Sequence, residues 1–379
     1  MDARRGGADL VGHQLDLGPA GGSSRDARGD GGRGALRVRH GAAAPHPGKR
    51  RREARPPRSR RTAARGHRVG ERPRGVAAVT GPPRDRLTAA LEWGVIPAVP
   101  VPFRGDTVAD DALRAYASWM AAHQVAGVAV WAHTGRGPHL SADHRRRVLA
   151  AWRRALPLST IVAGATSVAM AAEAKAGGAD AILAFPRTDD PVSYHEALGR
   201  ELPVIAFYLY EAAGGVAYDN ATLHALLALP AVIGIKVATL DSVVTFRRIA
   251  GLMRDHPDKL LITGEDRFLG YSLTMGARAA LIGMGAALTD LQSALVESFR
   301  VGNFAKFVRL SGLCDRFAEA TFIPPLEGYV RRMLWALAAD GVIPDDACDD
   351  PWGPSLPAVE RDAVRRAVRE ARSARISLP

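Results

Sequence analysis

The chain has 379 residues, and 47% of them are hydrophobic, enough to form a sizeable buried core. Its net charge of +12 is unevenly distributed along the chain. Residues 1–84 hold 20 basic and 7 acidic residues, a net charge of +13. Residues 85–379 hold the other 31 of the 51 basic residues and the other 32 of the 39 acidic residues, a net charge of −1. The body beyond residue 84 therefore shows no charge excess of the kind that indicates nucleic acid binding. No run of 18 apolar residues occurs, so we expect no membrane span.

The N-terminal segment 1–84 is rich in Gly, Ala, Pro and Arg and lacks periodic apolar residues. This composition predicts a disordered, basic tail. Its arginine-rich run at 48–61 could contact phosphates, but a non-functional extension is the favoured interpretation. No apolar segment follows the charges, so a targeting peptide is not indicated.

Cysteine and histidine patterns point away from metal chemistry. Cys314 and Cys348 have no metal-ligand or disulfide spacing, and the eleven histidines are scattered. No glycine-rich nucleotide motif follows a predicted strand. We therefore expect a reduced, cytoplasmic protein without a metal or cofactor.

Eight short apolar runs follow residue 88, with longer helical stretches between them. Most runs are continuously apolar, as expected for parallel strands buried on both faces. The predicted strands are 94–98, 127–131, 160–163, 181–185, 204–208, 232–237, 260–263 and 279–283.

The helices between and after these strands complete the fold prediction. Helices are expected at 110–123, 142–154, 220–228 and 242–254, with Asp110 and Asp219 or Asn220 as N-cap residues. Eight strand–helix units predict a (β/α)8 TIM barrel over 85–300. Further helices at 289–301, 304–320, 325–340 and 358–374 predict a C-terminal helical extension over 301–379.

In such a barrel the active site lies where the strands end. The second predicted strand ends in His133, Thr134, Gly135 and Arg136. Exposed backbone N–H groups, a hydroxyl and two potential cations could together bind a carboxylate. An ordinary loop between strand and helix explains this pattern about as well.

Two tyrosines lie near the end of the fifth predicted strand. Tyr208 and Tyr210 are two residues apart, so they are predicted to share one face. A phenol near an amine can transfer protons during addition to a carbonyl. For either tyrosine, the alternative is a core position with a satisfied hydroxyl.

Lys236 lies in the apolar sixth strand, in a chain with only five lysines among 51 basic residues. Burial lowers the pKa of an ammonium, and the neutral amine is a nucleophile toward carbonyls. Arginine cannot take this role, because it stays protonated. The alternative is a lysine whose ammonium reaches solvent at the strand end.

The last two predicted strands carry less distinctive groups. The seventh ends in Gly264, Glu265 and Asp266, which could bind substrate or cap the following helix. The eighth ends in Ile282 and Gly283, which offer mainly backbone groups.

Together these residues resemble the dihydrodipicolinate synthase / N-acetylneuraminate lyase family of Schiff-base aldolases. The run 234–239 is similar to the family's lysine motif, and the spacing from Tyr208 to Lys236 matches its tyrosine-to-lysine spacing. Segments 94–103, 133–135 and 264–266 resemble its first strand, carboxylate-binding loop and acidic turn.

The resemblance implies an imine between Lys236 and a small 2-oxo acid or oxo-sugar acid, with Tyr208 relaying protons. It also implies that Thr134 and Gly135 bind the carboxylate, and that the protein forms a tetramer or dimer. Three departures argue against an authentic dihydrodipicolinate synthase. His133 and Arg136 alter the loop, Ala213 replaces an arginine, and 185–188 lacks a tyrosine pair.

The sequence therefore favours a lyase that performs aldol cleavage, condensation or dehydration. Two alternatives stay open at this point. The first is a barrel that binds an oxo acid without turnover, and the second is a nucleic-acid-associated protein acting through its basic tail.

Overall fold

The computed structural model describes residues 83–376. The predicted tail, 1–84, lies outside these residues apart from its last two positions. Within the described part of the chain, no helix is both long and apolar enough to cross a membrane.

Eight parallel strands form a nearly closed barrel, which confirms the predicted TIM barrel. The strands are joined side by side in the order β1-β8-β7-β6-β5-β4-β3-β2, and a parallel bridge between Ala98 and Ala129 brings β1 against β2. They are β1 (Val95–Pro97), β2 (Gly127–Val130), β3 (Thr160–Ala165), β4 (Ala181–Ala184), β5 (Val204–Leu209), β6 (Val232–Ala238), β7 (Leu260–Thr263) and β8 (Ala279–Ile282). Each predicted strand bound lies within about two residues of the observed one, as expected for element ends.

Helices surround the barrel and continue beyond it. They are α1 (Pro83–Leu91), α2 (Asp110–Met120), α3 (Ala142–Ala155), α4 (Val168–Ala176), α5 (Pro191–Gly199), α6 (Asn220–Ala228), α7 (Val243–Leu252), α8 (Leu269–Thr274), α9 (Thr289–Arg300), α10 (Phe304–Thr321), α11 (Tyr329–Ala339) and α12 (Ala358–Ile376). A short antiparallel hairpin, Phe103–Arg104 with Thr107–Val108, follows β1. Helix α10 packs on α8, α9 and α12, so the last helices are continuous with the barrel wall.

One of the two predicted N-cap positions is confirmed. Asp219 caps α6, and its carboxylate accepts a hydrogen bond from the Thr222 N–H at 2.7 Å. Asp110 is not a cap, because α2 begins at Asp110 itself and its carboxylate pairs with Arg147 on α3. A carboxylate in the first turn still favours the helix through the backbone dipole.

Alternation along β5 separates the barrel interior from the layer between strands and helices. Ile205, Phe207 and Leu209 belong to the apolar cluster inside the barrel. Ala206 and Tyr208 belong to the larger cluster that faces the helices. Successive strand residues point to opposite faces, so this parity decides which side chains reach the site.

Candidate active site

A cavity of about 400 Å³, counting its opening to solvent, lies where the strands end. Its wall includes residues of β5 and β6, residues that follow β2, β7 and β8, and residues of the C-terminal segment, which we define as 322–350. Among them are His133, Thr134, Tyr210, Lys236, Asp266 and Tyr329. The structure thus brings together five of the predicted site residues, because Gly283 also lines the cavity, and it adds Tyr329.

Lys236 is 5% exposed and points into this cavity from β6. Its Nζ lies 4.2 Å from the centroid of the Phe207 ring, and no carboxylate of residues 83–376 pairs with it. Burial lowers the pKa of Lys236 to about 8, although Asp266 and Glu265 act in the opposite direction. The dominant effect is removal of the ammonium from water, which favours the nucleophilic neutral amine.

Glu265 is buried and holds the backbone that follows β6. Its carboxylate accepts hydrogen bonds from the Thr239 N–H at 2.6 Å and the Leu240 N–H at 3.0 Å. Burial raises the pKa of Glu265 to about 8 against the effect of these bonds. Leu240 has a φ of 70°, a left-handed conformation that Glu265 thereby stabilises.

Asp266 lies beside Lys236 and connects β7 to β8. It accepts a hydrogen bond from the Met284 N–H at 2.6 Å, and burial raises its pKa to about 7 despite Met284 and Lys236. Neither acid caps the next helix as the sequence suggested, because the residue before α8 is Phe268. Asp266 therefore supplies a titratable carboxyl group to the cavity wall.

The loop after β2 offers unpaired backbone donors. Within residues 83–376, the N–H groups of Thr134 and Gly135 contact no acceptor. A Cβ on Gly135 would lie 2.9 Å from the Val99 carbonyl oxygen, so only glycine fits this path. Thr134 is 3% exposed and lines the cavity with its hydroxyl. These groups suit a small anion such as a carboxylate.

Arg136 is not part of the cavity wall, contrary to its predicted contact with substrate. Its guanidinium donates to both carboxylate oxygens of Asp350, at 3.1 and 2.7 Å, and to Glu327 Oε2 at 2.8 Å. Burial opposes its charge, but Asp350 and Glu327 keep the pKa of Arg136 above its usual value. Arg136 thus ties the loop after β2 to the C-terminal segment.

Tyr208 is also outside the cavity, which corrects the predicted placement. Its side chain packs among helix-facing residues, and its hydroxyl lies 3.4 Å from Arg248 Nη2. The residue paired with Lys236 across β5 and β6 is Phe207. Side chains of paired residues in a parallel sheet point the same way, so the phenyl ring, not the phenol, faces the amine.

Tyr210 does reach the cavity, because the strand ends at Leu209 and the chain turns. Its hydroxyl donates to Glu327 Oε1 at 3.1 Å, and burial raises its pKa above the usual value. The two tyrosines therefore do not share one face as predicted. Tyr210 thus holds the Glu327 carboxylate of the C-terminal segment through a hydrogen bond.

Tyr329 and Glu327, which sequence reasoning did not single out, complete the wall. Tyr329 begins α11, and its Oη lies 2.9 Å from His133 Nδ1 and 3.0 Å from Thr134 Oγ1. His133 Nε2 lies 3.3 Å from Glu327 Oε2. In the sequence they were only a tyrosine and a glutamate within a predicted helix, and no local pattern marked them as site residues.

The end of β8 contributes space rather than functional groups. The Ile282 side chain packs on the helix-facing side, and its carbonyl accepts from the Ala98 N–H at 2.9 Å. Gly283 lines the cavity, where a Cβ would lie 3.1 Å from Tyr329 Cε2 and 3.2 Å from Thr134 Oγ1. Gly283 therefore allows Tyr329 to approach Thr134 closely.

The chain is similar to several curated proteins. It is 27% identical over 244 residues to an uncharacterized DapA-like lyase of Chloroflexus aurantiacus, covering 59% of this chain and 80% of that protein. It is 24% identical over 274 residues to a 4-hydroxy-tetrahydrodipicolinate synthase of Rhodospirillum centenum, covering 66% of this chain and 91% of that protein.

Solved structures and a family profile extend this comparison. The N-acetylneuraminate lyase of Mycoplasma synoviae superposes with a TM-score of 0.62 at 19% identity, covering 74% of this chain and 98% of that one. The sialic acid aldolase of Ruminococcus gnavus gives 0.68 at 17% identity, covering 76% and 100%. These identities show a shared fold. The sequence profile of the Dihydrodipicolinate synthetase family matches residues 92–371, from just before β1 into α12, and this chain therefore belongs to that family.

Proposed function

We propose that this protein is a lyase that acts on a small 2-oxo acid through a Schiff base on Lys236. Relatives named as lyase and synthase support the reaction class. None of the comparisons supports a binder without turnover or a nucleic-acid-associated protein. Imine formation withdraws electrons from the neighbouring carbon, which serves aldol cleavage, condensation and dehydration alike.

The observation that carries this proposal is the buried amine of Lys236. With a pKa of about 8, about a tenth of the molecules hold a neutral amine at neutral pH. At the ordinary value of 10.5 the fraction would be about one in 3,000. Its place at the C-terminal end of a barrel strand matches where barrel enzymes perform their chemistry.

The cavity favours a small substrate with a carboxylate. Thr134 lines the cavity with a free backbone N–H and a hydroxyl, and the free N–H of Gly135 follows it in the same loop. The volume of about 400 Å³ includes the open space at the cavity mouth, so the enclosed part is smaller and suits a small substrate. We therefore place the carboxylate at Thr134 and the 2-oxo carbon at Lys236.

We further propose that the reaction differs from that of an authentic dihydrodipicolinate synthase. Ala213 offers no cation to a second carboxylate, and it packs against the apolar interior of the barrel. Arg187, in the loop that lacks the tyrosine pair, is paired with Asp189. The groups that would recognise that family member's second substrate are therefore missing from these positions.

A homo-oligomer, tetramer or dimer, is part of the proposal. Val301, Phe304 and Val308 lie close together in sequence around the start of α10 and are 57%, 61% and 66% exposed. Apolar side chains exposed together favour association with another surface. Light scattering on the full chain tests this directly.

The test of the Schiff base is reductive trapping. The full chain is incubated with borohydride and, separately, pyruvate, 2-oxobutanoate and a 2-oxo sugar acid, and is then analysed by intact mass and peptide mapping. We expect one adduct, on Lys236. Lys259 is an internal control, because it is 6% exposed but its Nζ donates to the carbonyls of Leu229 and Val232.

Trapping is followed by a turnover assay, since binding alone can also produce an imine. Release of an oxo acid from the sugar acid over many cycles per site supports the lyase. Adducts spread over exposed lysines such as Lys175, or no adduct with any of the three compounds, would contradict the proposal.

A further inference from the structure

Three side chains form a continuous polar chain that ends in the cavity. Glu327 Oε2 lies 3.3 Å from His133 Nε2, and His133 Nδ1 lies 2.9 Å from Tyr329 Oη. Tyr329 Oη is also 3.0 Å from Thr134 Oγ1. His133 and Tyr329 line the same cavity as Lys236. We call this chain the Glu327–His133–Tyr329 relay.

The charge of Glu327 fixes the direction of the hydrogen bonds. Burial opposes ionisation, but His133 and Arg136 hold the pKa of Glu327 at about 2. An ionised carboxylate only accepts, so the His133 nitrogen facing it carries the hydrogen. When His133 is neutral, a lone pair on Nδ1 accepts from the Tyr329 hydroxyl, and when His133 is protonated, Nδ1–H donates to the Tyr329 oxygen.

We infer that Tyr329 is the catalytic residue that moves protons to and from the substrate in this protein. His133 takes and returns those protons, and Glu327 is the positioning residue that orients its imidazole. The inference rests on the Schiff base proposed above. Its chemistry is general acid–base catalysis by a phenol coupled to an imidazole.

Formation of the imine requires one proton. The neutral Lys236 amine adds to C2, and one N–H proton passes to the former carbonyl oxygen, which gives a carbinolamine. Protonated His133 then gives its Nδ1 proton to the Tyr329 oxygen. Tyr329 gives its own proton to the hydroxyl on C2. The C2–O bond breaks, water leaves, and a protonated imine remains on Lys236 with His133 neutral.

The next step returns that proton to the relay. A proton leaves C3 for the Tyr329 oxygen while the phenolic proton moves to His133. The C3–H electron pair becomes the C2–C3 double bond, and the imine nitrogen becomes the neutral nitrogen of an enamine. His133 is again protonated, so protons and charge balance over the two steps.

The hydroxyl groups of the two other tyrosines near the site, Tyr208 and Tyr210, have other contacts. The Tyr208 hydroxyl lies on the helix-facing side near Arg248. The Tyr210 hydroxyl donates to Glu327 Oε1, the oxygen that does not face His133. Burial raises the pKa of Tyr329 above its usual value, so its phenol stays protonated until a proton is passed along the relay.

Exchange of the pyruvate methyl protons with deuterated water tests the relay. This exchange needs the imine and a base but no second substrate, and NMR follows it. We expect Tyr329→Phe to slow exchange by about 100-fold or more, the range for loss of an acid–base group. The amount of borohydride-trapped adduct on Lys236 after long incubation should equal that of the native protein.

Two further variants make the test specific. Tyr194→Phe is the matched control, because its buried hydroxyl donates to the Ala165 carbonyl at 2.9 Å outside the cavity. It should exchange at the native rate. His133→Gln keeps a hydrogen-bonding side chain that cannot carry the proton. It should lower the exchange rate at saturating pyruvate without changing the half-saturating concentration.

Each result has a defined meaning. Native exchange in folded Tyr329→Phe overturns the relay alone, as does loss of exchange in Tyr208→Phe with retention in Tyr329→Phe. If Tyr329→Phe does not fold, His133→Gln decides, and its native exchange overturns the relay. Absence of any adduct in the native protein overturns the Schiff base and the relay together.

Discussion

Each end of the barrel contains one buried lysine, and the two differ in their partners. Lys259, just before β7, is 6% exposed, and its Nζ donates to the Leu229 carbonyl at 3.2 Å and the Val232 carbonyl at 2.7 Å. Lys236, at the other end, is 5% exposed and faces the Phe207 ring. Within residues 83–376, no hydrogen-bond acceptor contacts its Nζ.

This comparison separates burial from reactivity. An ammonium that keeps strong acceptors can stay charged inside a protein, because the lost hydration is replaced. An ammonium that loses water without such acceptors is pushed toward the neutral amine. Lys259 therefore links the start of β7 to the start of β6 and the residues before it, while Lys236 has the environment that the proposed Schiff base requires.

The largest expected effect comes from exchanging each lysine for arginine. Lys236→Arg keeps the charge but cannot form an imine, so trapping with pyruvate should fall to background. Lys259→Arg should still give the adduct on Lys236. Intact mass after borohydride treatment measures both.

Circular dichroism provides the control, since Lys236→Arg should keep the native helix and strand signal. An adduct retained in the folded Lys236→Arg variant would mean that another amine reacts. Loss of the adduct in a folded Lys259→Arg variant would show that the two ends of the barrel are coupled, and the comparison would fail.

The next effect is the dependence of trapping on pH. In the proposed reaction the free amine of Lys236 attacks the carbonyl, and burial lowers the pKa of this lysine to about 8. The initial rate of adduct formation should therefore rise about tenfold per pH unit up to about pH 8 and then level off. Asp266 and Glu265 titrate in the same range, at about 7 and 8, and their ionisation favours the charged lysine.

Initial rates of reductive trapping between pH 6 and 10 measure this profile. A rate that keeps rising to pH 10 would mean that the amine has an ordinary pKa. The cavity would then not distinguish Lys236 from an exposed lysine.

The barrel and its lysine were predictable because local patterns determine them. Lys236 interrupts a continuous apolar run, which marks a buried strand with one functional group. Lys259 follows Asp258 and does not interrupt an apolar run, so the sequence did not predict its burial. Sequence pattern therefore singled out Lys236, the proposed nucleophile, and the structure supplied the comparison with Lys259.

The side-chain direction of Tyr208 could not be predicted from the sequence. Tyr208 has the family's spacing to Lys236, but the direction in which its side chain points relative to Lys236 depends on how β5 pairs with β6. The pairing register shifts between Val204 and Ile205, and a one-residue shift exchanges the two faces of a strand. Phe207 therefore takes the position beside the amine.

The relay was beyond sequence reasoning for a different reason. His133 and Tyr329 are separated by 196 positions, and His133 and Glu327 meet only because the C-terminal segment folds over the barrel mouth. Arg136, predicted as a substrate contact, is the residue that fastens this segment through Glu327 and Asp350. Neither contact follows from local periodicity.

The smallest expected effect is on stability, and it has opposite signs for the two lysines. Lys259→Met removes the ammonium donor from the Val232 and Leu229 carbonyls, of which the Leu229 carbonyl keeps the Val232 N–H at 3.1 Å, so it should lower the free energy of unfolding by about 1 kcal/mol. Lys236→Met removes an ammonium without acceptors, so at pH 7 it should leave that free energy unchanged or raise it. Urea unfolding of both variants measures the difference.

The pH dependence sharpens this contrast. The pKa of Lys236 is about 8 in the folded protein against an ordinary 10.5, so the unfolded chain binds more protons between these values. Native stability should therefore gain a contribution that rises with pH from about 8 to 10.5, and Lys236→Met should lose that contribution. If Lys236→Met were instead as destabilising at pH 7 as Lys259→Met, the ammonium of Lys236 would be well solvated or paired, and its assignment as the nucleophile would lose its physical basis.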